Sequence, residues 1–599
     1  MSEASDQRSR QFLKISGQFK LGALVTESSH PVTAKLSEVA RRDIAEALGL
    51  LFQVDCDVVA KYREFAESGR AVAIKETVLN AIRNGGKIFF TGCGATGRLS
   101  IQLVSIWRDF WRSAGREDYE NRAFSVMAGG DFALIKSVEG FEDFAAFGRK
   151  QIGDLGVSAR DVVFAITEGG ETSFVIGTAW KGVEAGGKVY FVYNNPDSIL
   201  REYVQRSREV IDDSRIEKVN LTTGPMAITG STRMQATSIQ LCVMLTILEM
   251  VVRDLAAAGS SDDVPQAFLA GLVEMHATLR SPQLLEQLAK LVALEESVYR
   301  SGHRNNYFAD RFGIDVLTDT TERSPTYCTP PFRRFDDAAA TESWSFLFLP
   351  DGETPRAWER ILQREPRCVE WTDVEICELA EPEKRARTCE IIRRISRAEL
   401  MRFRIGLDGL DHRKTGSGDS AIGIVSETEK DSLLSAGGFH RARLEAARKA
   451  GAAVGLIYFG RDLEGVKREA LKLEATTVSV PVPPTGFLLD GVTRAGVKML
   501  LNALSTCTMV RMGRVMGNYM IWVVASNLKL IDRATRYIRN LTGLGYEESN
   551  RLLFEAVEYV EPRTKADQAH PPVVGLAVMR ARHGISNEEA ERRLMNGVE

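Results

Sequence analysis

The stretch that decides the fold of this chain is Gly92-Cys93-Gly94-Ala95-Thr96-Gly97-Arg98, between the apolar run 87–90 and a helical pattern that runs on from Leu99. A strand that enters a glycine turn and then a helix points several backbone N–H groups and the positive end of the helix at one place. Such a place binds an anion, most often a phosphate. The spacing predicts either a phosphate site or an ordinary tight connection between a strand and a helix.

This turn does not fit the two commonest nucleotide motifs. A dinucleotide site needs an acid at the end of the next strand, and that strand ends here in Met127-Ala128-Gly129-Gly130. A nucleotide P-loop ends in Gly-Lys-Ser or Gly-Lys-Thr, whereas this turn ends in Gly97-Arg98. We therefore expect no nucleotide cofactor at this turn.

Length and composition bound the class of protein. The chain has 599 residues, of which 44% are hydrophobic and 26% charged, with a formal net charge of −3. These values are typical of a globular chain with about two to four domains, and they indicate no nucleic acid or membrane partner. Eight cysteines without a Cys-x-x-Cys pair and seven histidines without a His-Glu-x-x-His motif predict no disulfide framework and no metal site. Without an apolar start or a membrane-length apolar run, we expect a cytoplasmic protein without cofactors.

Short apolar runs that alternate with helical patterns divide the chain into four parts. The predicted parts are a helical segment at 1–80, an α/β domain at 81–260, a second α/β domain at 261–510 with a charged insertion near 372–420, and a helical cap at 511–599. Most of the apolar runs are continuous, which is typical of parallel sheets covered on both faces. The predicted strands are Ile88–Phe90, Ser125–Ala128, Val162–Ile166, Val189–Tyr193, Lys218–Leu221, Ser297–Arg300, Ser345–Leu349, Cys368–Trp371, Ala421–Val425, Val454–Tyr458 and Thr476–Val480.

Three further segments place small or polar residues where strands meet helices or along a distant helix. Thr167-Glu168-Gly169-Gly170-Glu171-Thr172 follows one predicted strand, and Thr229-Gly230-Ser231-Thr232-Arg233-Met234 follows another. The third segment, Lys498 to Thr506, lies in the second predicted domain.

In their order, these motifs resemble those of the N-acetylmuramic acid 6-phosphate etherases, which are sugar isomerase (SIS) domain enzymes. The matching segments are Gly92–Arg98, Ala128–Gly130, Glu139–Asp143, Thr229–Met234, Thr26-Glu27, Asn502–Thr506 and Gly513–Asn518. The etherases carry one such domain, whereas two tandem SIS domains with a helical cap resemble the glucokinase regulatory protein. The resemblance implies two flavodoxin-like parallel sheets flanked by helices. It also implies a sugar-phosphate site made by Gly94, Thr96, Gly97, Arg98, Thr167, Gly169, Gly170, Thr172, Ser231 and Thr232.

The resemblance implies that Lys498 reaches this site from the second domain. In the etherases the helix after the serine turn carries a Lys and, four residues later, an Asn, but here those positions hold Leu241 and Leu245. The pair occurs as Lys498 and Asn502 in the second domain, and the glucokinase regulatory protein is similar in this respect. The alternative interpretation is an exposed helix lysine.

The resemblance also implies two catalytic carboxylates, of which the chain keeps one. Glu142 matches the first and would act as a base or as a partner for sugar hydroxyls, unless it is a surface acid. The second position, eight residues after the motif arginine, holds Ile106, which can transfer no proton. Asp109 lies about one helical turn further on and is either a substitute or a solvated surface aspartate.

Other departures concern charge and two polar segments. Glu168 and Glu171 stand where relatives mostly have small, hydroxyl or basic residues, and a carboxylate that faces a phosphate repels it. The segments 303–306 (His303-Arg304-Asn305-Asn306) and Thr320–Thr326 either line a second site or the shared cleft, or form polar loops with helix caps.

The leading hypothesis is a sensor or regulator that binds a hexose or amino-sugar 6-phosphate between two SIS domains, with a protein partner such as a sugar kinase. The alternative is a cofactor-independent lyase that releases lactate from an amino-sugar 6-phosphate, or a sugar-phosphate isomerase. A third is a scaffold with a vestigial site. We expect a monomer or homodimer, because the tandem domains already supply the pair that single-domain relatives obtain by dimerising.

Overall fold

Two five-stranded parallel sheets organise the chain in the computed structural model, which describes residues 3–16, 21–138, 140–525, 528–565 and 570–595. The first sheet contains β1 (Ile88–Gly92), β2 (Ala123–Met127), β3 (Val162–Ile166), β4 (Lys188–Tyr193) and β5 (Ile216–Asn220). The second sheet contains β6 (Asn305–Ala309), β7 (Ser345–Phe348), β8 (Ser420–Ser426), β9 (Ala453–Gly460) and β10 (Thr476–Pro481). Every residue of β1, β3, β6 and β8 is buried, as the continuous apolar runs predict for β1, β3 and β8.

Both sheets have the same strand order. The first is β2-β1-β3-β4-β5, and the second, taken from its other edge, is β7-β6-β8-β9-β10. This flavodoxin-like order reverses between the first and third strands, where a crevice opens beyond the carboxyl ends of the strands. The predicted fold class, two tandem parallel α/β units, is confirmed. The division at residues 80, 260 and 510 stays a prediction.

Helices cover the sheets and make up both ends of the chain. The α-helices of the described residues are α1 (Glu3–Ser16), α2 (Leu36–Arg42), α3 (Ile44–Val54), α4 (Cys56–Glu67), α5 (Arg70–Arg83), α6 (Ala95–Ser113), α7 (Glu117–Glu120), α8 (Ala145–Asp154), α9 (Ser173–Glu184), α10 (Asp197–Tyr203), α11 (Gln205–Asp212), α12 (Gln235–Ala256), α13 (Val264–Leu279), α14 (Pro282–Arg300), α15 (Gly313–Tyr327), α16 (Thr354–Leu362), α17 (Asp373–Leu379), α18 (Arg385–Arg393), α19 (Arg397–Leu400), α20 (Asp431–Leu434), α21 (Phe439–Lys449), α22 (Leu463–Lys472), α23 (Gly491–Arg511), α24 (Leu528–Thr542), α25 (Tyr546–Lys565), α26 (Val573–His583) and α27 (Asn587–Met595). In this described part of the chain, none of the helices is long and apolar enough to cross a membrane. A short antiparallel hairpin, Val515–Met516 with Tyr519–Met520, interrupts the predicted helical cap.

Two predicted strands are wrong. Ser297–Arg300 is the last turn of α14, because an apolar run of four residues fits the buried face of a helix as well as a strand. Cys368–Trp371 forms no strand of the second sheet. Instead, Cys368 makes one isolated antiparallel bridge with Gly130 of the first unit.

One strand escapes the sequence pattern because its first two residues are polar. Asn305 and Asn306 begin β6 and are fully buried. Asn305 Nδ2 donates to Glu295 Oε1 (2.8 Å) and Asn306 Nδ2 donates to Thr415 Oγ1 (2.7 Å). Hydrogen bonds thus offset part of the cost of burying these amides, although Asn305 Oδ1 has no partner among the described residues.

Candidate functional site

The Gly92–Arg98 turn connects β1 to α6 at the point where the first sheet reverses its strand order. Gly94 has φ +54° and ψ −122°, a conformation that favours glycine. A Cβ on Gly92 would lie 2.3 Å from backbone of the first helical turn, and one on Gly97 would lie 2.6 Å from Met127 Cγ. The glycines therefore let α6 begin directly at the sheet edge, where its first N–H groups lack intrahelical acceptors.

Thr96 and Glu142 have different relations to this turn. Thr96 Oγ1 accepts from the Cys93 N–H (3.1 Å) and donates to Cys93 O (2.9 Å), so its hydroxyl stabilises the turn itself. Glu142 Oε2 lies 3.9 Å from Cys93 Sγ, and the Glu142 carbonyl accepts from the Phe174 N–H at the start of α9 (3.0 Å). The structure thus places Glu142 beside the turn. The motif residue Glu139 lies outside the described residues.

The loop Thr167–Thr172 forms the second wall of the site, after β3. The hydroxyls of Thr167 and Thr172 lie 3.1 Å apart, and Gly170 has φ +78°. Asn195 Nδ2 donates to the Gly169 carbonyl (3.0 Å) and holds the loop from β4. The two strands on either side of the crevice therefore end in loops that face each other.

Glu171 does not confront a ligand as a bare negative charge, because α24 supplies a cation. Lys529 Nζ donates to Glu171 Oε1 (2.8 Å), and Arg206 lies 3.8 Å from the same carboxylate. Burial opposes ionisation of Glu171, but Lys529 and Arg206 outweigh it and lower the pKa of the carboxyl. Sequence reasoning missed Lys529.

The same helix, α24, also binds Glu27, which lies in the N-terminal segment that resembles the etherases. Arg533 Nε and Arg536 Nη2 each donate to Glu27 Oε2 (3.1 Å), and against the effect of burial they lower the pKa of Glu27 to about 2. Tyr537 OH donates to the Thr229 carbonyl (2.5 Å). Lys529, Arg533 and Arg536 follow one another at spacings of four and three residues along α24. This pattern of basic residues is the sequence signal that could have revealed these contacts.

Glu168 is buried beside the turn. Burial raises its pKa from 4.5 to about 8, and the nearby carboxylates Glu322 and Glu171 raise it further. Glu168 therefore carries a proton at neutral pH and does not repel a phosphate there.

Replacing Glu168 with glutamine will raise the free energy of unfolding by an amount that grows as the pH rises from about 4.5 to about 8. Over that range the folded chain keeps a proton that the unfolded chain has lost, so the wild type loses stability by at most about 1.4 kcal/mol per pH unit. Glutamine does not titrate. Urea unfolding at pH 5, 7 and 8.5 measures the difference, with exposed Glu209→Gln as control. A difference that is the same at all three pH values contradicts the prediction.

The third wall is the turn before α12. Ser231 is buried, and its Oγ has no hydrogen-bond partner within the described part of the chain. Thr232 is partly exposed, and its carbonyl accepts from the Thr237 N–H (3.2 Å). The Ser231 hydroxyl is thus a polar group that a ligand can satisfy.

Lys498 on α23 crosses from the second unit to this turn. Its Nζ donates to the Arg233 carbonyl (2.7 Å), and Asn502 Nδ2 donates to the same oxygen (3.2 Å). Burial lowers the pKa of Lys498 to about 8, and the charge of Arg233 contributes in the same direction. The structure thus places Lys498 of the second unit in contact with the turn before α12 of the first, whereas its part in a ligand site stays a prediction.

A cavity lies between the two units next to Lys498. Its lining residues are Ala95, Leu99, Gln102, Arg233, Thr237, Asp315, Thr318, Asp319, Glu322, Lys498, Leu501 and Asn502. The space that admits the centre of a water molecule is about 30 Å³, and the whole empty region, including its open mouth, is about 450 Å³. The cavity therefore holds about two waters.

Arg98 joins the two units rather than facing the crevice. It is fully buried, with Nε donating to the Leu134 carbonyl (3.2 Å) and to Thr321 Oγ1 (3.1 Å), and Nη1 paired with Glu322 Oε1 (2.5 Å). Arg98 thus makes an ion pair between the units, while its Nη2 is buried without a partner among the described residues, so the expected contact of Arg98 with a ligand stays a prediction.

Two other predictions are corrected. Thr320–Thr326 lies inside α15, so the loop alternative is wrong, whereas Glu322 of this segment and the preceding Asp319 line the cavity between the units, as the other alternative predicts. His303 lies at the amino end of β6, opposite the sheet edge that carries the sites, and its Nδ1 is 3.4 Å from Asp419 Oδ1. Parallel strands place their functional loops at the carboxyl edge only.

Asp109 does not reach the turn. It is fourteen residues beyond Ala95 along α6, which corresponds to about 20 Å of helix. Its carboxylate lies 3.8 Å from Arg311 of the second unit. Ile106 is buried in the same part of α6, so the turn receives no carboxylate from this helix end.

Comparisons with known proteins agree with these motifs. A family model described as the glucokinase regulatory protein N-terminal SIS domain matches residues 71–180. The chain is 29% identical over 229 residues to the N-acetylmuramic acid 6-phosphate etherase of Francisella tularensis subsp. holarctica (strain LVS), covering 38% of this chain and 70% of that protein. The etherase of Yersinia pestis (strain Pestoides F) is also 29% identical over 229 residues, covering 37% and 69%.

Solved structures superpose loosely. The C-terminal domain of glucosamine-fructose-6-phosphate aminotransferase from Francisella tularensis aligns with a TM-score of 0.37 and 12% identity, covering 76% of this chain and 96% of that chain. Tagatose-6-phosphate ketose/aldose isomerase from Escherichia coli aligns with a TM-score of 0.36 and 9% identity, covering 78% and 94%. Likeness at these TM-scores carries no weight for function. The resemblance carried by the motifs is confirmed by these matches: residues 71–180 match the model of the glucokinase regulatory protein N-terminal SIS domain, and the chain is similar to N-acetylmuramic acid 6-phosphate etherases.

Proposed function

We propose that this protein binds a sugar phosphate at the junction of its two α/β units and acts as a sensor or regulator through their closure. The observation that carries the proposal is the hydrogen bond from Lys498 Nζ of the second unit to the Arg233 carbonyl of the first (2.7 Å). A cation of one unit thus stands at the anion-binding edge of the other.

The chemistry of the three walls supports a phosphate ester as ligand. The turn at Gly94 presents the N–H groups of α6, Ser231 offers an unsatisfied hydroxyl, and Lys498 offers a positive charge. The relatives are named for N-acetylmuramic acid 6-phosphate, so amino-sugar 6-phosphates are the first ligands to test.

Closure follows from where these groups lie. A ligand that contacts both units binds the closed arrangement better than the open one, and that difference in affinity shifts the population. The small closed cavity means that entry and release require opening. In this proposal a protein partner, such as a sugar kinase, binds either the closed or the open form and is regulated in that way. The protein itself acts as a monomer or a homodimer.

The second candidate function is a cofactor-independent etherase. It is favoured by Glu142 beside the turn and by Glu168, which holds a proton at neutral pH. Glu142 would remove the proton at C2 of the sugar, and Glu168 is a buried acid on the neighbouring loop. Asp109 has no part in this proposal because of its distance along α6.

One experiment separates the two functions. Purified protein is incubated with N-acetylmuramic acid 6-phosphate, lactate is measured, and the melting temperature is recorded with this ligand and with glucose 6-phosphate. We expect a concentration-dependent rise in melting temperature without lactate release. Lactate that disappears in Glu142→Gln would establish the etherase instead. An unchanged melting temperature with both sugars, together with no lactate, rejects sugar-phosphate binding.

A further inference from the structure

A second cleft lies away from the sugar-phosphate site, on the outer side of β2. It measures about 350 Å³, far more than the closed cavity between the units. The first unit contributes the β2 edge and α8, and the second contributes the segment 367–375. The lining residues are Ser125, Val126, Met127, Gly130, Asp131, Lys150, Gln151, Asp154, Leu155, Arg367, Cys368, Val369, Glu370, Trp371 and Glu375.

Arg367 is the unusual group in this cleft. Among the described residues, its guanidinium makes no ion pair and no hydrogen bond, and its Nη1 is buried without a partner. It lies over the Phe124 ring, with Cζ 4.9 Å from the ring centroid. An unpaired cation that is half-buried in a cleft wall lacks the counter-charge that such groups normally have.

The nearest acid is already neutralised. Asp131 accepts from Arg364 Nη1 (2.6 Å) and Arg364 Nη2 (2.9 Å), and its Oδ2 also accepts from the Arg367 backbone N–H (2.6 Å). Burial, together with the positive charges of Arg364 and Arg108, lowers the pKa of Arg367 to about 10. Two arginines thus share one aspartate here, and the other nearby carboxylate of the lining, Glu370, accepts from the Arg397 backbone N–H (2.9 Å).

At the opposite end of the cleft, the charged side chains are already paired with one another, and an aromatic ring forms part of the wall. Lys150 Nζ is bound to Asp154 (2.6 Å) and Glu375 (2.7 Å), and Trp371 Nε1 donates to Asp154 (3.2 Å). The Trp371 ring stacks on Phe141 with centroids 5.9 Å apart, which fixes its position in the wall. The carboxylates of Asp154 and Glu375 can accept further hydrogen bonds, and the Trp371 indole offers an apolar face. This end of the cleft therefore suits a carbon skeleton that carries polar groups.

We propose that this cleft is a second ligand site, which binds a small organic anion with its phosphate or carboxylate on Arg367 and its carbon skeleton against Trp371. The site is independent of the sugar-phosphate site, and both units form it. A bound anion supplies the counter-charge that Arg367 lacks and ties the segment 367–375 to the first unit.

Calorimetric titration tests the site on a Lys498→Ala background, in which binding at the first site is expected to be weakened. The probes are ribose 5-phosphate and gluconate, one for each anionic group. We expect saturable binding of at least one probe with a Kd below about 1 mM, weakened about tenfold or more by Arg367→Met. The matched control is Arg387→Met, an exposed arginine on α18, which should leave binding unchanged.

The melting temperature of the unliganded variants separates a binding role from a structural one. Arg367→Met removes an uncompensated charge and keeps an apolar stem over Phe124, so the melting temperature should stay the same or rise. Absence of saturable binding of both probes up to about 10 mM, or equal binding by Arg367→Met, overturns the proposal. A lower melting temperature with unchanged binding assigns Arg367 to the fold instead.

Discussion

Replacing Lys498 with alanine is expected to weaken sugar-phosphate binding by about 100-fold, or about 2.7 kcal/mol, without unfolding the protein. Lys498 is the charge that the second unit brings to the turn of the first, and truncation removes a charge-assisted contact from a largely buried site. Calorimetric titration with the sugar phosphate that raises the melting temperature most measures the loss. Exposed Lys449→Ala is the control and should bind normally.

The fold is expected to survive this change for two reasons. Asn502 still donates to the Arg233 carbonyl, so that buried oxygen keeps a partner. The pKa of Lys498 is lowered, which means that the folded chain holds this proton less firmly than the unfolded chain and that the charged lysine costs stability below about pH 8. Alanine removes that cost.

The same pKa gives Lys498 a signature in the pH dependence. Wild-type affinity should fall as the pH rises through about 8, because the ammonium loses its proton, whereas Lys498→Ala should show a flatter profile at high pH. Equal affinities of wild type and Lys498→Ala at pH 7 would sink the composite site.

Replacing Arg98 with methionine is expected to lower the free energy of unfolding by about 3–5 kcal/mol, the typical cost of leaving a buried charge without its partner. The variant leaves Glu322 unpaired at the junction and removes the donors to Leu134 O and Thr321 Oγ1. Urea unfolding at pH 7 measures this effect, when it is followed by a signal that changes as the junction between the two units opens. Exposed Arg116→Met, which breaks the surface pair with Asp118, should change stability by less than about 1 kcal/mol.

A double variant separates the ion pair from its surroundings. Arg98→Met with Glu322→Leu replaces both charges by apolar groups of similar size, and much of the lost stability should return. Together with the single variant Glu322→Leu, the double-mutant cycle gives the coupling energy between Arg98 and Glu322. A loss below about 1 kcal/mol for Arg98→Met alone would show that the units do not depend on this pair.

Local patterns were enough to predict most of the fold. The glycine spacing at Gly92–Gly97 and the continuous apolar runs predict β1, β3 and their neighbours to within a few residues. They do so because the preference for a strand or a turn depends mainly on adjacent residues. The apolar pattern did not predict β6, because Asn305 and Asn306 are polar residues that a sequence window treats as exposed. Hydrogen bonds to other segments offset part of the cost of burying their side chains.

The candidate site is predicted only in part, because several of its groups are joined by contacts between distant segments. Motif order leads to Glu142 and Lys498, and the structure brings both to the edge of the first sheet. It also corrects Asp109, since a helix rise of about 1.5 Å per residue carries that carboxylate away from the turn.

By itself the sequence determined two tandem parallel α/β units and a glycine turn between a strand and a helix at Gly92–Arg98, whereas anion binding at this turn and its completion by Lys498 stay predictions. Only the tertiary structure decided that Arg98 is paired with Glu322, that Lys529 neutralises Glu171, and that Arg367 stands unpaired among the described residues of a second cleft. The physical reason is that a turn follows from neighbouring residues, whereas the partner of a charge depends on which helices pack together, and those partners lie hundreds of residues apart.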